Sequence, residues 1–139
     1  MIRILFILSI LVTFATHVTI SQIHLIPFND LETKCDFKSD SNKFVLNSKI
    51  DLMKISGCNL LDFDFGEYTI IGVKGAIEGA NEDLWIDFKI SKDDKKNKYI
   101  ITATIFGQGS SRMMQPFKRI IYTDKLQSNY DIEFKVFYK

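Results

Sequence analysis

Histidine and cysteine are scarce in this chain: two of each among 139 residues, beside two prolines and one tryptophan. Two cysteines cannot build a multi-disulfide scaffold. His17 and His24 stand apart from any third ligand at zinc-site spacing, so the sequence implies no metal and no cofactor. One sign of charge is not in excess either, since 18 basic side chains meet 17 acidic ones for a net +1. A nucleic-acid partner would require a concentrated basic face. The densest basic run, Lys92–Lys98, carries Asp93 and Asp94 within it and reads as a solvated hairpin tip. No G-x-S-x-G nucleophile elbow occurs, and Gly72, Gly75 and Gly79 do not fit the spacing of a phosphate-binding loop. With 46% apolar, 25% charged and 13% aromatic residues, the chain is neither disordered nor of low complexity.

One apolar run stands out. Arg3 is followed by Ile4–Phe14, about 11 residues interrupted only by Ser9 and Thr13, and then by small residues at positions suited to cleavage. This is the organisation of a secretory signal, and the run is too short to span a bilayer as a helix. The reading is a signal peptide over 1–21 and one domain over 22–139, secreted or periplasmic after processing, with no integral membrane segment in the mature chain. A cut after Ala15 is the alternative. A domain of about 118 residues has room for one core and not for two. In an oxidising compartment Cys35 and Cys58 are expected to form a disulfide, which would close a loop of about 23 residues and stabilise the fold by roughly 3 kcal/mol.

The remainder alternates with a period of two. Leu84, Ile86, Phe88 and Ile90 share one face of a strand, with Trp85, Asp87 and Lys89 on the other. The polar tip Ser91–Asn97 leads into Lys98–Phe106, rich in β-branched and aromatic residues, and the two segments form the most secure hairpin. Ile132, Phe134, Val136 and Tyr138 repeat the pattern at the end of the chain, opposed by Asp131, Glu133, Lys135 and Phe137. Residues 68–78 read as a strand, and their glycines as a kink, a bulge or close packing. Pro27 suits an edge strand. Residues 43–55 are read as a strand in preference to a helix, because Asn47 and Ser48 would fall near the helix middle. Leu61, Phe63 and Phe65 are read as another strand, residues 79–83 as a turn, and residues 107–116 as a break between strands. The fold class is all-β: a compact antiparallel sandwich or small barrel of six to eight strands, with room for one short helix.

For chemistry, the carboxylates of Asp62 and Asp64 would lie about 6.6 to 6.8 Å apart along a strand, but any alternating strand with polar outward positions does the same. No enzyme is indicated. Binding has better candidates. Trp85 and Phe137 are large aromatics on nominally outward faces, where a shared contact patch would gain from burial. Arg112, Met113, Met114 and Gln115 combine a guanidinium with adaptable apolar side chains in a loop between glycines and Pro116. The expected function is non-catalytic recognition of a protein partner, as an inhibitor or assembly accessory in the cell envelope or outside the cell. The alternative is a carrier of a hydrophobic small molecule or lipid with an internal apolar pocket. In architecture alone the chain resembles secreted lipid-binding sandwiches, small lipocalin-like barrels and periplasmic inhibitors. Without their cysteine arrangement or G-x-W signature, that resemblance carries over no residue.

Overall fold

The computed structural model describes residues 23–56, 60, 62–78, 80–108 and 112–139. The signal-peptide segment, Cys58, Leu61 and Gly79 lie outside them. The elements in chain order are β1 (Ile23–Leu25), β2 (Phe28–Asp30), β3 (Lys43–Leu46), α1 (Lys49–Ile55), β4 (Tyr68–Glu78), β5 (Ala80–Asp93), β6 (Lys98–Gln108), β7 (Met114–Asp124) and β8 (Asp131–Tyr138). They form two four-stranded sheets, ordered β1-β5-β6-β8 and β2-β7-β4-β3. The molecule is therefore a β-sandwich; the sheets do not close into a barrel.

Alternation builds the core. Ile86, Phe88 and Ile90 of β5 and Tyr99, Ile101, Ala103 and Ile105 of β6 meet Ile71, Val73 and Ile77 of β4 and Phe117 and Ile121 of β7 between the sheets. The opposite face of the second sheet is covered as well. Phe44, Leu46, Ile70 and Ile120 pack there against Cys35, Phe37 and Leu52, which come from the segment before β3 and from α1. This covering layer explains why apolar residues appear on both parities of β4, a pattern that strict alternation does not produce.

The glycines of β4 serve packing. Phe44 sits opposite Gly72 across the β3–β4 ladder, and Phe117 sits opposite Gly75 across β4–β7. A Cβ on Gly72 would lie 2.2 Å from Phe44 Cζ, and one on Gly75 would lie 2.8 Å from Phe117 Cζ. Each aromatic ring occupies the space its partner leaves free.

Several expectations are corrected. Residues 43–55 are not one strand: β3 ends at Leu46 and α1 begins at Lys49. Ser48 is the N-cap, its Oγ accepting from the Asp51 amide at 3.1 Å and donating to Asp51 Oδ2 at 2.8 Å. The residue expected to oppose a helix is thus the one that starts it. Phe63 and Phe65 are not on a strand, because Asp64 closes a turn: its carboxylate accepts from Gly66 N at 2.7 Å and its carbonyl from Tyr68 N at 3.0 Å. Phe63 packs instead against Phe65, Tyr68 and Tyr122. Ala80–Asp83 belong to β5, with a register shift between Ala80 and Trp85, so the chain passes from one sheet to the other near there. β7 begins at Met114, which places Met114 and Gln115 on a strand.

The β5–β6 hairpin is as expected, with Asn97 at φ 47° in its tip. One pairing departs from an antiparallel sheet: β8 runs parallel to β6. The intervening β7 lies in the other sheet, so the chain crosses over and returns beside β6 in the same direction. Pro27 falls between β1 and β2, which are edge strands of different sheets.

Candidate functional site

Among the described residues, the outer face of β1-β5-β6-β8 carries no covering layer. Register assigns its side chains to cross-strand rows. Trp85 faces Phe106; Asp87 faces Thr104, which faces Phe137; Lys89 faces Thr102, which faces Lys135; and Ser91 faces Ile100, which faces Glu133. Trp85 and Phe137, nominated from the sequence, thus share one face. Their exposures are 53% and 48%.

Between them lies a residue the sequence reading missed. Phe106 stacks on Trp85 with ring centroids 4.0 Å apart and planes 6° from parallel. Phe137 is the diagonal neighbour of Phe106, a relation that puts Cα atoms roughly 7–8 Å apart. Lys139 closes the row: its amide donates to Ile105 O, its carbonyl accepts from Gly107 N, and its Nζ lies 5.8 Å from the Phe106 centroid. The signal for Phe106 was present, since counting back from the hairpin tip pairs it with Trp85. Lys139 was not legible, because its place depends on the long-range β6–β8 pairing.

Charge organises the other end of this face. Glu133 accepts from Lys135 Nζ at 2.6 Å and Lys98 Nζ at 2.9 Å. The Lys135 and Lys98 hydrogen bonds, reinforced by their positive charges, take its pKa from the ordinary 4.5 down to about 2. The face therefore grades from apolar rings to a solvated ion network.

The structure does not bring the second candidate onto this face. Arg112, Met113, Met114 and Gln115 are all exposed, Met113 at 77% and Met114 at 62%. Met114 shares the strand parity of Lys118 and Ile120, directed away from the first sheet, whereas Trp85 is directed away from the second. Met114 and Trp85 thus face opposite ways, while Gln115 has the parity of Phe117, toward the first sheet.

Arg119 bridges the sheets along one side. Its Nε and Nη2 donate to Asp30 at 2.8 and 3.2 Å, its Nη1 donates to Ile86 O, and its guanidinium lies 5.8 Å from the rings of Phe28 and Phe88. The hydrogen bond from Arg119 holds the Asp30 carboxyl below its usual range. Beside it is a groove of about 280 Å³ between Trp85 and Pro116. Two larger depressions, about 550 Å³ near Thr33 and about 540 Å³ near Asn129, lie on the surface with charged and polar residues in their walls.

The carboxylates considered for catalysis sit in and beside a turn. Asp64 forms the turn described above, and Asp62 is exposed nearby. His24 is exposed on β1 with Nε2 3.9 Å from Asp94 Oδ2; Asp94 also accepts from Tyr130 and Lys92. Among the described residues there is no cluster of three or more His, Cys, Asp or Glu side chains able to hold a metal ion, and no helix long and apolar enough to cross a membrane. Cys35 is buried, and its expected partner Cys58 lies outside the described residues. The chain matches no protein-family model, no curated protein and no solved structure.

Proposed function

We propose that this protein is a non-catalytic recognition domain, acting as an inhibitor or assembly accessory on a protein partner in the cell envelope or extracellular space. The observation that carries the reading is the Trp85–Phe106 stack, with Trp85 exposed and Phe137 diagonal to Phe106, on a sheet face that no other element among the described residues covers. Large aromatics with a charged surround are the composition of interface anchors: the rings supply area at low entropy cost, and the ions supply orientation. The export signal, the mature domain over 22–139 and a Cys35–Cys58 disulfide belong to the same proposal. Arg112–Gln115 is a second contact segment in it.

The carrier alternative draws less support. An internal ligand needs accessible space between the sheets, where Ile71, Val73, Ile101, Ala103, Ile105 and Ile121 are each at 0% exposure.

The test is capture from the native secretome or envelope fraction with wild-type protein, W85S/F137S, R112A and M113A/M114A, each checked for folding by circular dichroism. The proposal expects a partner that W85S/F137S loses. A partner retained equally by that folded variant refutes the aromatic face. Loss only with R112A or M113A/M114A assigns recognition to the β6–β7 end instead.

A further inference from the structure

The free edges of the two sheets are unequally protected. On β7, beyond the three residues paired with β2, Pro116 stands at a position of the same parity as Ile120, whose carbonyl accepts from Leu31 on that side. A proline there offers no amide to an incoming strand. On β5, beyond its pairing with β1, Arg119 occupies the outward carbonyl of Ile86.

β8 differs. It is eight residues long, lacks proline, and has no strand on its far side among the described residues. Asp131 and Lys139 direct their backbone groups to the β6 side, donating to Asn97 O and Ile105 O. By alternation Ile132, Phe134, Val136 and Tyr138 direct theirs outward. One of these groups, the Phe134 carbonyl, is met by Lys43 Nζ from the edge of the other sheet. Three β8 side chains are exposed beside this edge: Ile132 at 36% and Tyr138 at 46% on the inner parity, and Phe137 at 48% on the outer.

We propose that β8 pairs antiparallel with β8 of a second copy, across a two-fold axis at Phe134, joining two four-stranded sheets into one continuous sheet. Charge selects both the partner and the register. Only even-numbered positions have outward backbone groups, so even must pair with even. With the axis at Phe134, Glu133 of each copy faces Lys135 of the other at non-hydrogen-bonded positions, where Cα atoms approach to about 4.5 Å. Ile132 faces Val136 on the inner side. Sliding one pairing step in one direction sets Lys135 against Lys135, and in the other Glu133 against Glu133. Each alternative puts like charges face to face at its centre, offset in part by Asp131 opposite Lys139 or Lys135; only the register centred on Phe134 has opposite charges and no like pair, so it is the favoured one. Lys43 releases the Phe134 carbonyl to the amide of the second copy. In a single copy it blunts the edge, as lysines on sheet edges do.

Sedimentation equilibrium of the purified protein tests this with four variants. Wild type is expected to dimerise, and K43A to dimerise more tightly. V136P removes an amide that points away from β6 and pairs with no strand among the described residues, so it weakens association at least about tenfold with an unchanged circular dichroism spectrum. E133K and K135E each weaken self-association, while an equimolar mixture of the two regains it, because every cross-axis pair is then opposite in sign. Wild type and K43A both monomeric at all concentrations would overturn the proposal. So would V136P dimerising as tightly as wild type, or a mixture no tighter than its components. Should E133K unfold through its contact with Lys98, V136P and K43A still decide.

Discussion

Substituting alanine for Gly72 places a methyl group where the Phe44 ring already lies. The new Cβ would sit 2.2, 2.6 and 2.8 Å from Phe44 Cζ, Cε2 and Cε1, whereas carbon atoms in contact prefer about 3.5–4.0 Å. The ring would have to retreat by more than about 1 Å. It has nowhere to go: Phe44 is stacked on Phe37 with centroids 4.9 Å apart, and both are buried, at 8% and 1% exposure. Overpacking of this kind costs about 1–3 kcal/mol, and the absence of slack places G72A in the upper half of that range. Alanine recovers about 0.5–1 kcal/mol through the lower entropy of its unfolded chain. The net expectation is a loss of about 2 kcal/mol, or a Tm lower by roughly 6–12 °C for a domain of this size. Urea unfolding followed by near-ultraviolet circular dichroism measures it. F44A alone costs about 3–5 kcal/mol through the cavity it leaves, and in that background G72A becomes neutral or stabilising. A G72A stability within about 0.5 kcal/mol of wild type, or the same loss in the F44A background, would refute the account of the covering layer.

Arg119 joins β7 to β2 and β5, so R119A is expected to lower stability by about 1–2 kcal/mol in chemical unfolding, and R119K to recover less than half, since one ammonium cannot reproduce the forked contact. Glu133 has a depressed folded pKa, so its pairing with Lys98 and Lys135 contributes stability fully above the ordinary carboxyl value of 4.5 and loses it as pH falls toward about 2. A carboxyl titration by nuclear magnetic resonance should show its midpoint near 2; a midpoint near 4.5 would mean that the ion network does not persist in solution. Exported material is expected to begin near Gln22 by intact mass and to give a Cys35–Cys58 peptide under non-reducing digestion, with retention of residues 1–21 or two free thiols as the opposing results.

What the sequence made legible was local. The alternation of Leu84–Ile90 and the turn residues around Asn97 fix the β5–β6 hairpin, and with it the outward direction of Trp85. The outward direction of Phe137 follows from the same parity on β8. Two kinds of information were not local. The covering layer buries Ile70 and Ile120 on the second face of their strands, so alternation alone could not say which residues needed partners. The parallel return of β8 beside β6 depends on β7 lying in the other sheet, and that placement alone sets Phe137 diagonal to Phe106. At Ser48 and Asp64 the residue types were read against the wrong element. A serine three positions before an aspartate is a cap, and an aspartate two before a glycine is a turn; both outweigh the apolar alternation around them.

Trp85 is the one tryptophan of the chain, so selectively excited tryptophan fluorescence reports on the proposed recognition face. In the free protein its ring is stacked on Phe106 and 53% exposed, which makes it accessible to a collisional quencher. Titration with the captured partner, itself labelled with a non-fluorescent tryptophan analogue, is the most direct measurement of the central claim. Binding through the aromatic face predicts a blue-shifted emission and a loss of acrylamide quenching that saturate together with complex formation. A saturating complex in which the emission maximum and the quenching of Trp85 remain those of the free protein would contradict it.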